Sequence, residues 1–215
     1  METQQTKFWS GEFGKEYTDR NSRDPKIWDK FYLENWGITK SEINSKLLSA
    51  LPKDIKILEV CSNTGMQLTC LKEMGFKNLY GIELQSYAVE KSKEYTTNIN
   101  LIQGTGFDLP FKDNYFDLVC TNGVLIHIHP NDYFKIMSEM VRCSKSFIMG
   151  FEYYAADVTN VNYRGNDGFL WKADFAKIFT TLLPDLLELK RDYYKYLHSE
   201  NVDCAYLLKK NKYGN

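Results

Sequence analysis

Two carboxylates, a short loop of small residues and a histidine are the groups in this chain whose type and spacing suit chemistry. The run Ile57-Leu58-Glu59-Val60 breaks into Cys61-Ser62-Asn63-Thr64-Gly65, and a helical apolar spacing then follows through Leu68, Leu71 and Met74. A buried strand, a tight turn and a helix start aim backbone N–H groups and a helix N-terminus at a ligand. A second apolar run, Asn78 to Leu84, carries Glu83 at its end. A carboxylate there can accept hydrogen bonds from both hydroxyls of a ribose, which a neutral side chain of that length does less strongly. The other reading is a surface Glu capping the next helix. His127, with His129 as runner-up, follows the run Tyr115 to Thr121 and is the best candidate to take a proton from an acceptor hydroxyl. Its alternative is an orienting or core histidine.

These groups need a scaffold, and the apolar periodicity supplies one. Strands are expected over 55–60, 78–84, 100–103, 115–121 and 146–152. Helices fall between them: one from Gly65 to a terminating Gly75, one over 87–95, and one capped by Asn131 or Asp132 that runs through Phe134, Met137, Met140 and Val141. This alternation predicts an α/β fold with a parallel sheet wound on both faces. Upstream, Lys26 to Trp36 reads as a helix, and Thr39 or Ser41 caps another that ends at Pro52. Downstream, a helix is expected over 171–183, followed by strands over 186–196 and 203–208 that form an antiparallel hairpin on the sheet edge. Phe8 to Asn21 shows no clean period and reads as loop with a short helix. Its aromatics either pin the N-terminus to the core or close over a site as a lid. Nothing resembles a linker or repeat, so residues 1–215 read as one domain with a lid or helical segment over 1–38.

The segment from Glu59 to Gly65 resembles motif I of the class I S-adenosylmethionine-dependent methyltransferases, usually Glu-hydrophobic-Gly-x-Gly-x-Gly. Cys61 and Asn63 stand where two of the glycines belong. A G-x-G-x-x-G dinucleotide loop fits less well, which argues against a dehydrogenase. Further stretches narrow the likeness: Phe8-Trp9-x-Gly-Glu-Phe-Gly, Glu16-Tyr17-x-Asp19-Arg20-Asn21, Ser62-Asn63-x-Gly65-Met66, Phe107-Asp108-Leu109-Pro110-Phe111, Leu125-Ile126-His127-Ile128, Arg142-Cys143-Ser144-Lys145 and Tyr163-Arg164-Gly165 with Leu170-Trp171-Lys172. Together they look like the pseudaminic acid biosynthesis-associated methylases, in which Ser-Asn replaces the motif I glycines.

The resemblance implies a Rossmann-like, seven-stranded, mostly parallel sheet with an antiparallel C-terminal strand. It implies S-adenosylmethionine as cofactor, with S-adenosylhomocysteine as product. Glu59, Cys61, Ser62, Asn63, Gly65 and Met66 would line the cofactor's methionine part, and Glu83 and Leu84 its ribose. Gly104, Thr105, Gly106 and Phe107 would line its adenine, with Thr105 where relatives usually carry an acid and Asp108 as a further candidate. Asn122 and Gly123 fall in the segment that lines both cofactor and substrate. Tyr17 and Arg20 would close over the sulfonium and the cofactor carboxylate. Trp9, His127, Tyr153, Tyr154, Tyr163, Arg164, Trp171 and Lys172 would form the acceptor side, most of them in an insertion over 153–172. Arg164 there is either a bidentate clamp for a carboxylate or phosphate or a solvated surface charge.

Composition sets the outer limits. The chain has 215 residues, a formal net charge of −1 and 15% aromatic residues. A near-neutral balance gives no bulk attraction to nucleic acid or an anionic membrane. The five cysteines lack C-x-x-C spacing, so reduced, mostly buried thiols are expected and no metal site. With no signal-like N-terminus and no apolar run of spanning length, a cytoplasmic protein is expected. The acceptor is expected to be an anionic sugar or nucleotide-sugar precursor of a surface glycan. The alternatives are a phosphorylated or phosphoramidate capsule intermediate, or a non-catalytic cofactor-binding partner subunit. Oligomeric state is left open.

Overall fold

In the computed structural model, which describes residues 2–21 and 24–211, Ile57, Leu58 and Val60 are fully buried at the middle of the molecule. They belong to β1 (Lys56–Val60), whose alternation sends Leu58 and Val60 to one face of a sheet and Ile57 to the other. The chain preceding it folds as α1 (Gln4–Ser10), α2 (Glu12–Arg20), α3 (Pro25–Trp36) and α4 (Lys40–Leu48). After β1 come α5 (Met66–Glu73), β2 (Asn78–Glu83), α6 (Ser86–Tyr95), β3 (Asn100–Gln103), β4 (Phe116–Asn122), α7 (Tyr133–Cys143) and β5 (Ser144–Tyr153). A two-stranded ribbon of β6 (Thr159–Asn160) and β7 (Trp171–Lys172) leads to α8 (Phe175–Leu182), β8 (Leu186–Lys195) and β9 (Val202–Lys210). Met1, Ser22, Arg23 and residues 212–215, parts of the expected lid and single domain, lie outside the described residues.

The main sheet has the order β3-β2-β1-β4-β5-β9-β8. Its first five strands are parallel, and β9 enters antiparallel between β5 and β8. The order turns back on itself beside β1 and β4, so a crevice opens beyond their carboxyl ends. One face is covered by α7 and α8 through Ile136, Met137, Met140, Phe175 and Phe179. The other is covered by α4 and α5 through Ile43, Leu47, Leu68 and Leu71, with Tyr32 of α3 added. This is the α/β, Rossmann-like architecture that the sequence implies.

Three local expectations need correction. The segment 8–21 is almost wholly helical: α1 starts in a capping box between Thr3 and Thr6, and the chain bends at Gly11 into α2. The helix expected from Trp171 starts only at Phe175, because Trp171 and Lys172 pair with Asn160 and Thr159 and Asp174 caps Lys177 N–H. Asp132 precedes α7 but its side chain makes no capping bond, since a single 3₁₀ turn over Pro130–Asp132 already leads into the helix. Thr39, by contrast, caps α4 in a full capping box with Glu42.

Candidate functional site

The turn after β1 is built from three left-handed residues: Cys61 (φ 56°), Asn63 (φ 47°) and Gly65 (φ 78°). The two non-glycine residues therefore adopt the backbone for which glycine is the easy choice. Asn suits this conformation because its side chain bonds locally, here by accepting Thr64 N–H at 2.9 Å. The turn ends with Gly65 N–H on the Ser62 carbonyl at 2.8 Å, and α5 starts directly after it.

Glu83, at the carboxyl end of the neighbouring β2, is 8% exposed. One carboxylate oxygen accepts Asn63 N–H and the other Gln85 N–H, each at 2.8 Å. Burial raises its pKa while these backbone N–H groups pull it down. Each oxygen keeps a further lone pair for a ligand hydroxyl. It does not cap α6 itself; Gln85 does that, by accepting Tyr87 N–H.

Around this pair lies a cavity lined by Cys61, Ser62, Asn63, Met66, Glu59, Glu83, Leu84, Thr105, Gly106, Phe107, Asn122 and Gly123, and roofed by Tyr17, Trp9, Thr6 and Gln5 of the N-terminal helices. Within it, Glu59 Oε2, Ser62 Oγ and Trp9 Nε1 are buried without a hydrogen-bond partner. The acidic residues among its lining are Glu59 and Glu83, and burial pushes Glu59 up to about 8, so that it is mostly protonated near pH 7. A lining with acidic residues, no Lys or Arg, and an aromatic roof favours a cationic ligand over an anionic one.

His127 lies on a short 3₁₀ turn after β4, 9% exposed, and faces the same cavity. Its Nδ1 is 2.8 Å from the Phe169 carbonyl. A carbonyl only accepts, so Nδ1 carries the hydrogen and Nε2 the lone pair. Burial pushes the imidazole down to about 4, which leaves it neutral near pH 7. Trp9 and Tyr163 pack against the ring, with centroids at 4.6 and 4.9 Å, and against each other at 6.4 Å. His129 lies elsewhere, packed against Trp171 at 5.3 Å.

The remaining expected site residues are dispersed. Gly65 shapes the turn without lining the cavity, and Gly104 instead donates its N–H to the Glu83 carbonyl at 2.9 Å. Asp108 is exposed. Arg20 points outward, 3.5 Å from Glu16 and over the Phe13 ring, because its place on α2 faces away from the cavity that Tyr17 lines. Arg164 and Gly165 are the two left-handed central residues of a hairpin turn closed between Tyr163 and Asn166, so Arg164 sits exposed at a turn tip and is no clamp. Lys172 bonds Asn201 and lies over the Tyr153 ring, Tyr154 packs on Tyr193, and Trp171 is buried. None of Tyr153, Tyr154, Trp171 and Lys172 lines the cavity, and neither does Tyr163, which packs on His127.

Two residues that sequence reasoning missed matter here. Lys40 is 1% exposed, donates to Asn122 Oδ1 at 2.5 Å and lies 4.1 Å from the Phe151 ring centroid. Burial pushes its ammonium down to about 8, against the opposing pull of Cys70, Glu59 and Asp203. The signal was in the spacing: Lys40 and Asn44 share the buried stripe of α4 with Ile43 and Leu47. Gln85 is the other, buried beside Glu83 with its side-chain amide on the carbonyls of Ser10 and Gly11.

Known proteins resemble this chain in part of its sequence and in its fold. Residues 58–147, somewhat less than half of the chain, match the family model described as a methyltransferase domain. A demethylmenaquinone methyltransferase of Staphylococcus aureus is 32% identical over 125 residues, which is 56% of this chain and 46% of that protein. The chain thus spans about half the length of the curated relatives it matches. Among solved structures, the PH0226 protein of Pyrococcus horikoshii superposes with a TM-score of 0.69 at 14% identity, covering 91% of this chain and 99% of that one. The 1,6-didemethyltoxoflavin-N1-methyltransferase of Burkholderia thailandensis, solved with S-adenosylhomocysteine, superposes with a TM-score of 0.65 at 11% identity, covering 80% and 77%. The fold is that of the class I methyltransferases, residues 58–147 match a methyltransferase-domain model, and the cofactor that such domains use is S-adenosylmethionine. The residues present suit that cofactor: a buried carboxylate with lone pairs to spare for a ribose, a second acid whose Oε2 has no partner, and a roof of Trp9 and Tyr17.

Proposed function

We propose that this chain transfers a methyl group from S-adenosylmethionine to a small, ring-bearing acceptor that carries a hydroxyl and no strong negative charge. The observation that carries this reading is Glu83, buried at the end of β2 with both oxygens already oriented by backbone N–H groups. Glu83 would hold the ribose hydroxyls, and the turn from Cys61 to Gly65 with Glu59 the aminoacyl end. Thr105, Gly106 and Phe107 would hold the adenine, Thr105 doing so weakly because its hydroxyl already accepts Phe107 N–H at 3.2 Å.

When bound, the cofactor supplies an electrophilic methyl group on a positively charged sulfur. The chain's own task is to exclude water, position the acceptor and remove its proton. Trp9 lines the cavity beside His127, with Tyr163 packed behind both rings, and Trp9 Nε1 offers an unpaired donor. His127 Nε2 takes the acceptor proton, with Nδ1 held on the Phe169 carbonyl throughout. A neutral sugar precursor of a surface glycan is the acceptor this surface suits best, since sugar rings stack on aromatic faces. The anionic sugar or capsule phosphate is disfavoured, because Arg164 and Lys172 lie outside the cavity. A flat aromatic acceptor is the second reading, favoured by the same ring wall and by the acceptors that the demethylmenaquinone and toxoflavin relatives are named for.

Calorimetric titration with S-adenosylmethionine and S-adenosylhomocysteine tests the first half. Dissociation constants of roughly micromolar order, weakened about tenfold or more by Glu83→Ala, are expected. No binding to the wild type sinks the reading, and binding without turnover of any acceptor leaves the non-catalytic partner subunit in its place. With an acceptor found among neutral sugars or quinols, His127→Gln is expected to lower kcat by about a hundredfold or more. An unchanged kcat would remove the histidine from the chemistry.

A further inference from the structure

Glu83 is bracketed by two residues that make the same pair of bonds. Asn63 gives its backbone N–H to one carboxylate oxygen and its side-chain amide to Thr18 Oγ1 of α2, at 2.8 and 2.9 Å. Gln85 gives its backbone N–H to the other oxygen and its side-chain amide to the carbonyls of Ser10 and Gly11, where α1 bends into α2, at 2.9 and 3.0 Å. Thr18 is fully buried and passes its own hydroxyl hydrogen to the Gly14 carbonyl at 3.0 Å. The two helices that roof the cavity are thus tied, through one intermediate residue on each side, to a single carboxylate.

From this geometry we infer that Asn63 and Gln85 form a double latch that couples occupancy of Glu83 to closure of the α1–α2 roof. Asn63 is the positioning residue of the pair, and the latch explains why an asparagine holds a left-handed position that glycine fills more easily. Glycine there keeps the φ and the N–H to Glu83 but has no amide to reach Thr18. A ligand hydroxyl that bonds Glu83 fixes the carboxylate, which fixes the backbone of Asn63 and Gln85, which holds their amides on the roof. Coupling runs equally in reverse, so a closed roof preorganises the carboxylate. None of residues 2–21 belongs to either core cluster; the roof meets the rim of one of them where Trp9 and Phe13 pack on His127 and Tyr163. Its closure rests on polar bonds of this kind, among them Tyr87 Oη to Asp19, on Phe8 and Gln5 against Phe169 and Gly168, and on Trp9 and Phe13 against His127 and Tyr163.

This inference rests on the cofactor reading of Glu83, and its test separates the two. Amide hydrogen exchange of residues 4–21 is measured without ligand and with saturating S-adenosylhomocysteine, in the wild type, Asn63→Gly and Thr18→Val. Asn63→Gly is expected to speed ligand-free exchange of α2 about fivefold, the factor one such bond gives, with β1 and β2 unchanged. At saturation the wild type is expected to gain at least about tenfold protection in α2, and Asn63→Gly to lose most of it although ligand still protects the turn after β1. Dissociation of S-adenosylhomocysteine, followed by stopped flow, is expected to quicken by about fivefold. Thr18→Val is expected to reproduce these effects, and the double variant to add little. Unchanged ligand-free exchange of α2 in Asn63→Gly overturns the latch, as does full ligand-linked protection in that variant. Failure of the wild type to bind S-adenosylhomocysteine would sink the cofactor reading instead, with the latch still judged by the ligand-free arm.

Discussion

The turn after β1 keeps the backbone of a glycine loop without its glycines. Cys61, Asn63 and Gly65 are all left-handed, so every second residue of the turn occupies a region that an L side chain enters at a cost of about 1–2 kcal/mol. At position 61 no local side-chain bond offsets that cost, since a thiol is a weak partner. The order of helix propensity should accordingly invert there. Cys61→Gly is expected to be more stable than Cys61→Ala by about 1 kcal/mol, read from urea midpoints, because both remove the thiol and only glycine relaxes. An alanine variant equal to or above glycine would show that the loop is not held left-handed in solution. At this scale the sequence is a good guide wherever a residue ends a strand. Glu59, Glu83 and Asn122 reach the cavity because strand ends fix where their side chains emerge, and His127 does so from the short turn that follows β4. It is a poor guide where nearness along the chain stands in for nearness in space. Arg164 and Lys172 are close in sequence to Tyr163, yet a tight turn and a ribbon carry them away from it.

Among the elements, the α1–α2 hairpin was the least legible and is the most informative. Its aromatics Phe8, Trp9, Phe13 and Tyr17 show no common period because the chain bends at Gly11 between them. Within α2 alone, Phe13 and Tyr17 have ordinary helical spacing, and both rings pack against Trp9 across the bend, at 5.4 and 5.2 Å. Gly14 makes this return possible: a Cβ there would meet the Trp9 carbonyl oxygen at 1.8 Å. Helix propensity favours alanine over glycine by about 1 kcal/mol, and the clash with backbone overrides it. Gly14→Ala is expected to open the roof while leaving the sheet folded. Hydrogen exchange over residues 4–21 should rise to near that of an unstructured segment, with the main thermal transition in place. A lower transition temperature with exchange unchanged would mean that the roof is integral to the core. The long strands and the helices between them, by contrast, could be read directly, since each buries one or two faces against the sheet and carries the matching period. The false start of a helix at Trp171 has the same origin as the missed one. Two residues paired in a ribbon and two more in a turn continue an apolar pattern without continuing the backbone.

For the molecule as a whole, the charged groups buried along the carboxyl edge of the sheet decide how stability follows pH. Burial pushes Glu59 up to about 8 and Glu152 and Asp203 up to about 7, against the opposing pull of Lys40 on Glu59 and Asp203 and of the Val124 N–H on Glu152. Each is protonated in the fold at pH values where the unfolded chain, near its ordinary carboxyl value of about 4, is already ionised. The stability tied to these three protons is therefore complete below the unfolded value and is lost as pH rises through about 7 to 8. His127 has the opposite sign. With its folded value pushed down to about 4, stability is lost as pH falls from about 6.5 toward 4, because the unfolded imidazole then binds a proton that the fold refuses. Lys40, pushed down to about 8, opposes the carboxyls only above that pH. Three carboxyls against one imidazole leave a net loss of stability between about pH 5.5 and pH 8. The ligand-free protein is thus expected to show a urea midpoint that falls across that window, and Glu152→Gln is expected to flatten the fall. A midpoint level or rising from about pH 5.5 to pH 8 would mean that these carboxyls are ionised in the fold. The cavity edge would then carry more negative charge than burial allows, and Lys40 would stay protonated beside it.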